Sequence, residues 1–325
     1  MLITVAICSR DRAEQLRRVL ETAVAMTVPA GLDWEMIIID NGSSDHTADV
    51  VRDFDDRLPI RLVSEPTAGL SNARNRAVVE ARGDYICWTD DDVLIDRGWL
   101  AAYAQAFSRH PDAKFFGGPV DPTLEGTPPA WFAENRNVLG FLLAEREFGD
   151  QPIALSIENE TLPFGANYAV NTAEQRRHRY DPLLGVAPQQ RRLGEETKVI
   201  EAIAAAGAEG YWVPEARVKH LIPPARQTLA YVGTYQRSMG ETWAYLSGLD
   251  CRNFMATSIA ATNRSLDGVP VWIWRKMITH RLAYAITKLA GTSPRSLKHW
   301  QSYGFYKGAV DYLRRERTTG VSTRV

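Results

Sequence analysis

Three consecutive carboxylates, Asp90, Asp91 and Asp92, close the apolar and aromatic run Tyr85-Ile-Cys-Trp88. Neighbouring like charges repel and disfavour continued strand, so stability alone gives no reason for their company. A hard divalent cation would cancel the repulsion, because Mg²⁺ and Mn²⁺ prefer oxygen ligands. The plainer reading is a solvated turn leading into a helix that starts near Asp96, and the run by itself leaves both open. A second acidic pair, Glu195-Glu196, follows Gly194 in the first turn of a helical pattern. Favourable charge against a helix dipole accounts for such a pair without any catalysis. His220 ends a short strand-like run, where an isolated imidazole is more often structural than a ligand.

The elements that must position these groups alternate. Residues 2–8 read as a buried strand, followed by the polar loop Ser9-Arg10-Asp11-Arg12 and a helix over 13–25 with Leu16, Val19, Leu20 and Ala23 on one face. Residues 35–39 form a second buried strand that ends in Asp40-Asn-Gly-Ser-Ser-Asp45, a turn signature before a helix over 46–54. A short strand at 60–63 precedes a helix over 73–81 that Gly83 is expected to close, and 85–88 is a fourth strand. This spacing predicts a mostly parallel sheet with helices on both faces. Right-handed crossovers then bring the loops after strands one, two and four to a single rim. Ser9, Asp11, Asp40 and Asp90 to Asp92 therefore meet there, about eighty residues apart in sequence. The loop after strand one carries neither a Walker A motif nor G-x-G-x-x-G, which argues against a P-loop NTPase or a dehydrogenase.

Further on, Pro163-Phe-Gly-Ala-Asn-Tyr-Ala-Val170 combines a Gly turn with a strand-like run, and 210–213 and 216–219 are short strands. Residues 228–246 and 271–290 are helical, the second apolar through Ile273, Ile278, Leu282 and Ile286 and basic elsewhere. Three regions result: 1–120 and 121–228, two halves of one domain, and 229–325, a basic, aromatic-rich helical extension.

Composition is ordinarily globular, at 45% hydrophobic and 24% charged residues. The net charge of −1 conceals an asymmetry: from Arg264 onward there are twelve Lys/Arg residues against Asp267, Asp311 and Glu316. A basic end suggests an anionic partner, and a lipid surface is expected rather than nucleic acid, since the cations are scattered through helices whose apolar faces also need burial. Cys8, Cys87 and Cys251 form no CxxC pair, which argues against a metal cluster or disulfide scaffold. With no signal-peptide pattern and no apolar run of about 18 residues, a cytoplasmic location is expected, peripheral at the inner face of the plasma membrane.

The strings Val5-Ala-Ile-Cys-Ser-Arg-Asp-Arg-Ala13, Ile38-Ile-Asp-Asn-Gly-Ser-Ser-Asp45 and Gly69-Leu-Ser-Asn-Ala-Arg-Asn75 resemble successive motifs of family 2 glycosyltransferases. So do Asp90-x-Asp92, Gly194-Glu-Glu196, and Val218-Lys-His220 with Ile222-Pro-Pro-Ala-Arg226, all in the family's order. The resemblance covers residues 2 to about 226 and implies that 1–120 is the nucleotide-sugar-binding half and 121–228 the acceptor-binding half of one GT-A domain. It implies a GT-A fold and inverting transfer of a sugar from a nucleotide-sugar, a UDP-sugar being favoured, to a saccharide or lipid-linked hydroxyl. It places Ser9, Asp11 and Asp40 in the nucleoside pocket, Arg74 at the nucleotide or its phosphates, and Asp90 at the ribose or a metal-bound water. Asp92 would hold Mn²⁺ or Mg²⁺ with His220 as a second ligand. Asp91, Gly165 and Asn167 would line the acceptor or donor-sugar pocket. Glu196 would be the base, although the family often has Asp in that position, which leaves the choice between Glu195 and Glu196 open. The alternatives are a non-catalytic partner of the same fold in a membrane-associated polysaccharide assembly and a sugar-1-phosphate nucleotidyltransferase. The latter normally carries a Gly-rich signature after the first strand, and residues 9–12 contain no Gly.

Overall fold

A computed structural model of the chain describes residues 1–188, 190–250 and 265–319, so Cys251 and Arg264 lie outside the described residues. The strands used below are β1 (Leu2–Ser9), β2 (Asp33–Asp40), β3 (Ile60–Ser64), β4 (Tyr85–Thr89), β5 (Val93–Ile95) and β6 (Phe115–Gly117). They continue with β7 (Val120–Leu124), β8 (Asn167–Asn171), β9 (Gly185–Ala187), β10 (Gln190–Arg192), β11 (Gly210–Trp212) and β12 (Val218–Ile222). The helices are α1 (Ala13–Val24), α2 (Thr47–Arg52), α3 (Leu70–Glu80), α4 (Trp99–Arg109), α5 (Ala130–Glu134) and α6 (Gly140–Leu143). After these come α7 (Thr172–Arg177), α8 (Glu195–Ala205), α9 (Leu229–Asp250), α10 (Val271–Lys288) and α11 (Pro294–Thr319). The chain divides into two compact units, one of residues 1–123, 143–190 and 194–222, the other of 124–142, 191–193 and the described part of 223–325.

The first unit is built on a seven-stranded sheet in the order β11-β6-β8-β4-β1-β2-β3. β1 runs parallel to both β2 and β4, and β8 is antiparallel to β4 and β6. Alternation along β1 divides the core. Ile3, Val5 and Ile7 join Leu16, Val19 and Leu20 of α1 and Tyr103 and Phe107 of α4 on one face. Ala6 joins Ala73 and Ala77 of α3 and Ile200 and Ile203 of α8 on the other. Burial on both faces is why Met36-Ile-Ile-Ile39 is apolar without a polar alternate. Truncating one of these buried aliphatics, Leu16→Ala for instance, costs about 2–5 kcal/mol.

Two expectations change. Gly83 does not end α3 as a left-handed cap; Ala81 caps it in an extended conformation. What Gly83 provides is closeness, because a Cβ there would lie 2.5 Å from the backbone N of Thr4. The strand expected at 216–219 is shifted to Val218–Ile222, which puts His220 in the middle of β12, opposite Val93 of β5.

In the second unit α9 and α11 lie backbone to backbone. A Cβ at Gly240 would sit 1.8 Å from the Phe305 carbonyl oxygen, and one at Gly308 would sit 2.0 Å from that of Arg237. Glycines therefore set the separation of this helix pair. Asp311 of α11 pairs with Arg237 of α9 and with Lys307, and Glu241 pairs with Arg315. Among the described residues, no helix is long and apolar enough to cross a membrane.

Candidate active site

Because β1, β2 and β4 are parallel, their carboxyl ends share a rim, with Ser9 in register beside Asp40. The loops that follow β1 and β2 are splinted together. Ser44 donates its backbone N–H (2.6 Å) and hydroxyl (2.9 Å) to Asp11 Oδ1, and the Asp11 N–H donates to Ser43 Oγ. Ser43 N donates to Asp40 Oδ1 at 2.8 Å, and Ala13 N to Asp45 Oδ2. The Ser44 N–H holds the Asp11 carboxyl below the usual range. Asp11 itself takes φ 52°, a left-handed conformation that Asp tolerates better than most residues.

The acidic run does not splay into solvent. Asp91 and Asp92 are 4% and 5% exposed. Arg12 clamps them, Nη1 to Asp91 Oδ1 and Nη2 to Asp92 Oδ2, both at 2.9 Å. Ser9, itself buried, donates its hydroxyl to Asp91 Oδ2 at 2.8 Å. Ser9 thus faces the acidic run, where a role lining the nucleoside pocket was expected. Burial pushes the Asp91 carboxyl up to about 7 against the opposing pull of Arg12.

Arg74, on the buried side of α3, gathers a second set. Its Nη2 lies 3.4 Å from Asp90 Oδ1, and its Nη1 lies 3.1 Å from Glu195 Oε1 and 3.7 Å from Glu196 Oε2. Its guanidinium also lies 5.6 Å from the Tyr180 ring centroid. Gly194 in a left-handed conformation opens α8 so that both glutamates occupy its first turn. Burial pushes Glu195 up to about 8, Glu196 adding to the effect and Arg74 opposing it. Glu196 is the more accessible of the two, its side chain 16% exposed against 5% for Glu195. Gly165 makes room for it, since a Cβ there would meet the Glu196 carboxyl carbon at 3.0 Å.

His220 is brought to the run by β12, whose Leu221 N–H donates to the Asp92 carbonyl. Its Nδ1 is 2.9 Å from the Leu143 carbonyl oxygen, which can only accept, so Nδ1 carries a proton. In the neutral ring the Nε2 lone pair then faces Asp92 Oδ1 at 3.7 Å. That separation suits two ligands about 2.1 Å from one shared ion, with the carbonyl orienting the imidazole from behind. Among the described residues no three His, Cys, Asp or Glu side chains group tightly enough to hold an ion alone. One carboxylate oxygen and one imidazole nitrogen would suit a divalent cation only if other ligands completed its shell.

Asn167 departs from its expected place in the sugar pocket. It is fully buried, accepts from Trp99 Nε1 and the Tyr103 hydroxyl, and donates to the carbonyls of Pro119 and Ala216. All its polar capacity goes into tying β8 to α4 and to the segments beside β7 and β12. Conversely, Arg12 has no assigned role in the sequence reading. The hint was its position in the polar loop after β1, but nothing local distinguishes it from Arg10, which pairs with Asp11.

The architecture is a GT-A fold. It superposes on S. aureus TarS 1-349 in complex with UDP-GlcNAc with a TM-score of 0.53 and 12% identity, over 100% of this chain and 93% of that one. It also superposes on the mannosyltransferase PcManGT from Pyrobaculum calidifontis in complex with GDP-Man and Mn²⁺, with a TM-score of 0.57 and 17% identity over 97% and 87%. Residues 4–157 match the model of glycosyl transferase family 2. The succinoglycan biosynthesis protein ExoM of Rhizobium meliloti is 26% identical over 254 residues, 74% of this chain and 73% of its own length. The next curated relatives are matched over 27% of their length. The match to glycosyl transferase family 2 thus covers just under half of the chain, at residues 4–157.

Proposed function

We propose that the protein transfers a sugar from a nucleoside-diphosphate donor to an acceptor hydroxyl with inversion, in the assembly of a polysaccharide or glycolipid. The observation that carries this reading is the convergence of Asp90 and Asp92, His220, and Glu195 and Glu196 around two arginines at the carboxyl ends of β1 and β4. Solved structures of this fold hold UDP-GlcNAc or GDP-Man with Mn²⁺, which supports a nucleotide-sugar donor. Asp11 and Asp40, on the two splinted loops, would border the nucleoside, and a UDP-sugar remains the favoured donor. The acceptor is a saccharide or lipid-linked alcohol, consistent with the likeness to a succinoglycan biosynthesis protein.

Glu196 is the base in this reading. Glu195 is buried and committed to Arg74, whereas Glu196 is farther from that cation and more open. As the acceptor oxygen attacks the anomeric carbon, its proton passes to the Glu196 carboxylate. The bond from that carbon to the diphosphate oxygen breaks, and the leaving nucleoside diphosphate keeps the electron pair. Asp92 and His220 would hold a divalent cation whose contribution is to neutralise charge on the departing diphosphate. Attack from the opposite face inverts the anomeric centre without an enzyme nucleophile.

The test is turnover of a panel of UDP-, GDP- and dTDP-sugars with Mn²⁺ or Mg²⁺, comparing the native protein with Asp92→Ala and Glu196→Gln. Both variants should lose at least 100-fold in kcat. Native rates in both would sink the assignment.

A further inference from the structure

The outer face of α10 is apolar where a solvated helix would be polar. Ile278, Leu282, Ile286 and Leu289 are 52%, 59%, 69% and 89% exposed. At 100° per residue they fall within one stripe about 80° wide and roughly 17 Å long. Ile273 and Tyr284, the buried residues of the helix, lie on the opposite side. Exposed cations border the stripe: Arg281 and Lys288 along one edge, Lys276 on the other side, and Arg275 at its amino-terminal end. Between residues 271 and 310 there are seven Lys/Arg and no Asp or Glu. Among the described residues, none of these four α10 cations pairs with a carboxylate. The nearby acids are engaged elsewhere, Asp267 with Arg314 and Arg317, and Asp311 with Arg237 and Lys307.

We infer that α10 docks in the plane of an anionic lipid surface, with Ile278, Leu282, Ile286 and Leu289 entering the acyl boundary and the flanking cations meeting the headgroups. An exposed apolar stripe calls for a cover, and the unbroken positive border selects an anionic one. A second copy of the same helix would bring these cations against one another, which a lipid surface avoids. Each aliphatic side chain that leaves water strengthens binding, and each Lys or Arg near the surface contributes about fivefold more. This goes beyond the proposed function, taking up the lipid surface that the basic end of the sequence suggests, and does not depend on sugar transfer.

The experiment is co-sedimentation of the full chain with vesicles of phosphatidylcholine alone or with 30% phosphatidylglycerol (roughly the anionic content that tests a surface-charge effect), without donor or metal. The native protein should pellet with the anionic vesicles and be released as salt is raised. Leu282→Glu/Ile286→Glu should reduce that binding more than tenfold, and Arg281→Gln/Lys288→Gln should also weaken it. Leu282 and Ile286 are exposed, so the melting temperature and nucleotide-sugar turnover of the double Glu variant should stay native. Native protein that remains in the supernatant, or a double Glu variant that still binds, overturns the inference. So does a native dimer in sedimentation velocity that Leu282→Glu/Ile286→Glu makes monomeric, with no vesicle binding. Vesicle binding without turnover would instead leave the docking helix standing and count against the transferase reading.

Discussion

Arg12 and Arg74 are both held between carboxylates on the same rim, but their surroundings differ. Arg12 reaches Asp91 and Asp92 from a loop, and its side chain is 31% exposed. Arg74 projects from a helix and is 4% exposed, with Asp90, Glu195 and Glu196 around it. A cation at the edge of water can be exchanged for another, whereas a buried one cannot leave without stranding its partners. In the proposed reading, Arg12 holds the carboxylates that a divalent ion would claim. Arg74 is a permanent part of the scaffold that fixes the glutamates.

The largest effect should come from Arg74→Ala, which leaves Glu195 buried without its cation. Unfolding in denaturant should show a loss of about 3–5 kcal/mol, and an unchanged midpoint would erase the distinction between the two arginines. Glu196→Gln should separate chemistry from stability, with turnover falling by about 10²–10⁴ while the unfolding midpoint moves little. A fall in stability as large as that of Arg74→Ala would place Glu196 in the scaffold instead.

Glu195 sharpens the contrast through pH. Its folded pKa of about 8 lies above the ordinary value of 4.5, so across that interval the folded state holds more protons than the unfolded one. Its contribution to stability is therefore full below about pH 4.5 and declines as pH rises towards 8. Denaturant midpoints for the native protein and Glu195→Gln should show a shallower decline in the variant, and parallel curves would remove Glu195 as the source. The smallest effect is expected from Arg12→Gln. Stability should fall by about 1–3 kcal/mol, less than for Arg74→Ala, because Arg12 is partly exposed while its partners Asp91 and Asp92 are buried. Mn²⁺ affinity, followed by electron paramagnetic resonance of the free ion, should rise on the order of fivefold as a competing charge disappears. Weaker Mn²⁺ binding would mean that Arg12 supports the ion site.

The parallel sheet was legible because β1 and β2 announce themselves as short apolar runs ending in polar loops, and parallel crossovers leave one choice for where those loops meet. The rim residues followed from that topology. What local pattern does not encode is which way a side chain turns once it arrives. Ser9 was placed on the rim correctly, but its hydroxyl goes to Asp91, a partner 82 residues away. Asn167 looked available beside a Gly turn, yet buried donors and acceptors from three other segments consume it. The role of Arg12 depends on an ion pair spanning about as much sequence, invisible to periodicity. Gly83 shows the same limit for backbone: sequence marks a glycine, and only packing tells whether its angle or its missing side chain is in use.

The contact between α9 and α11 has a mechanical consequence. With bare backbone meeting backbone at Gly240 and Gly308, sliding either helix along the other would drive a carbon substituent into a carbonyl oxygen. The pair can tilt as one piece but resists internal shear, so a force applied at one end of it is transmitted to the other without being absorbed between the helices.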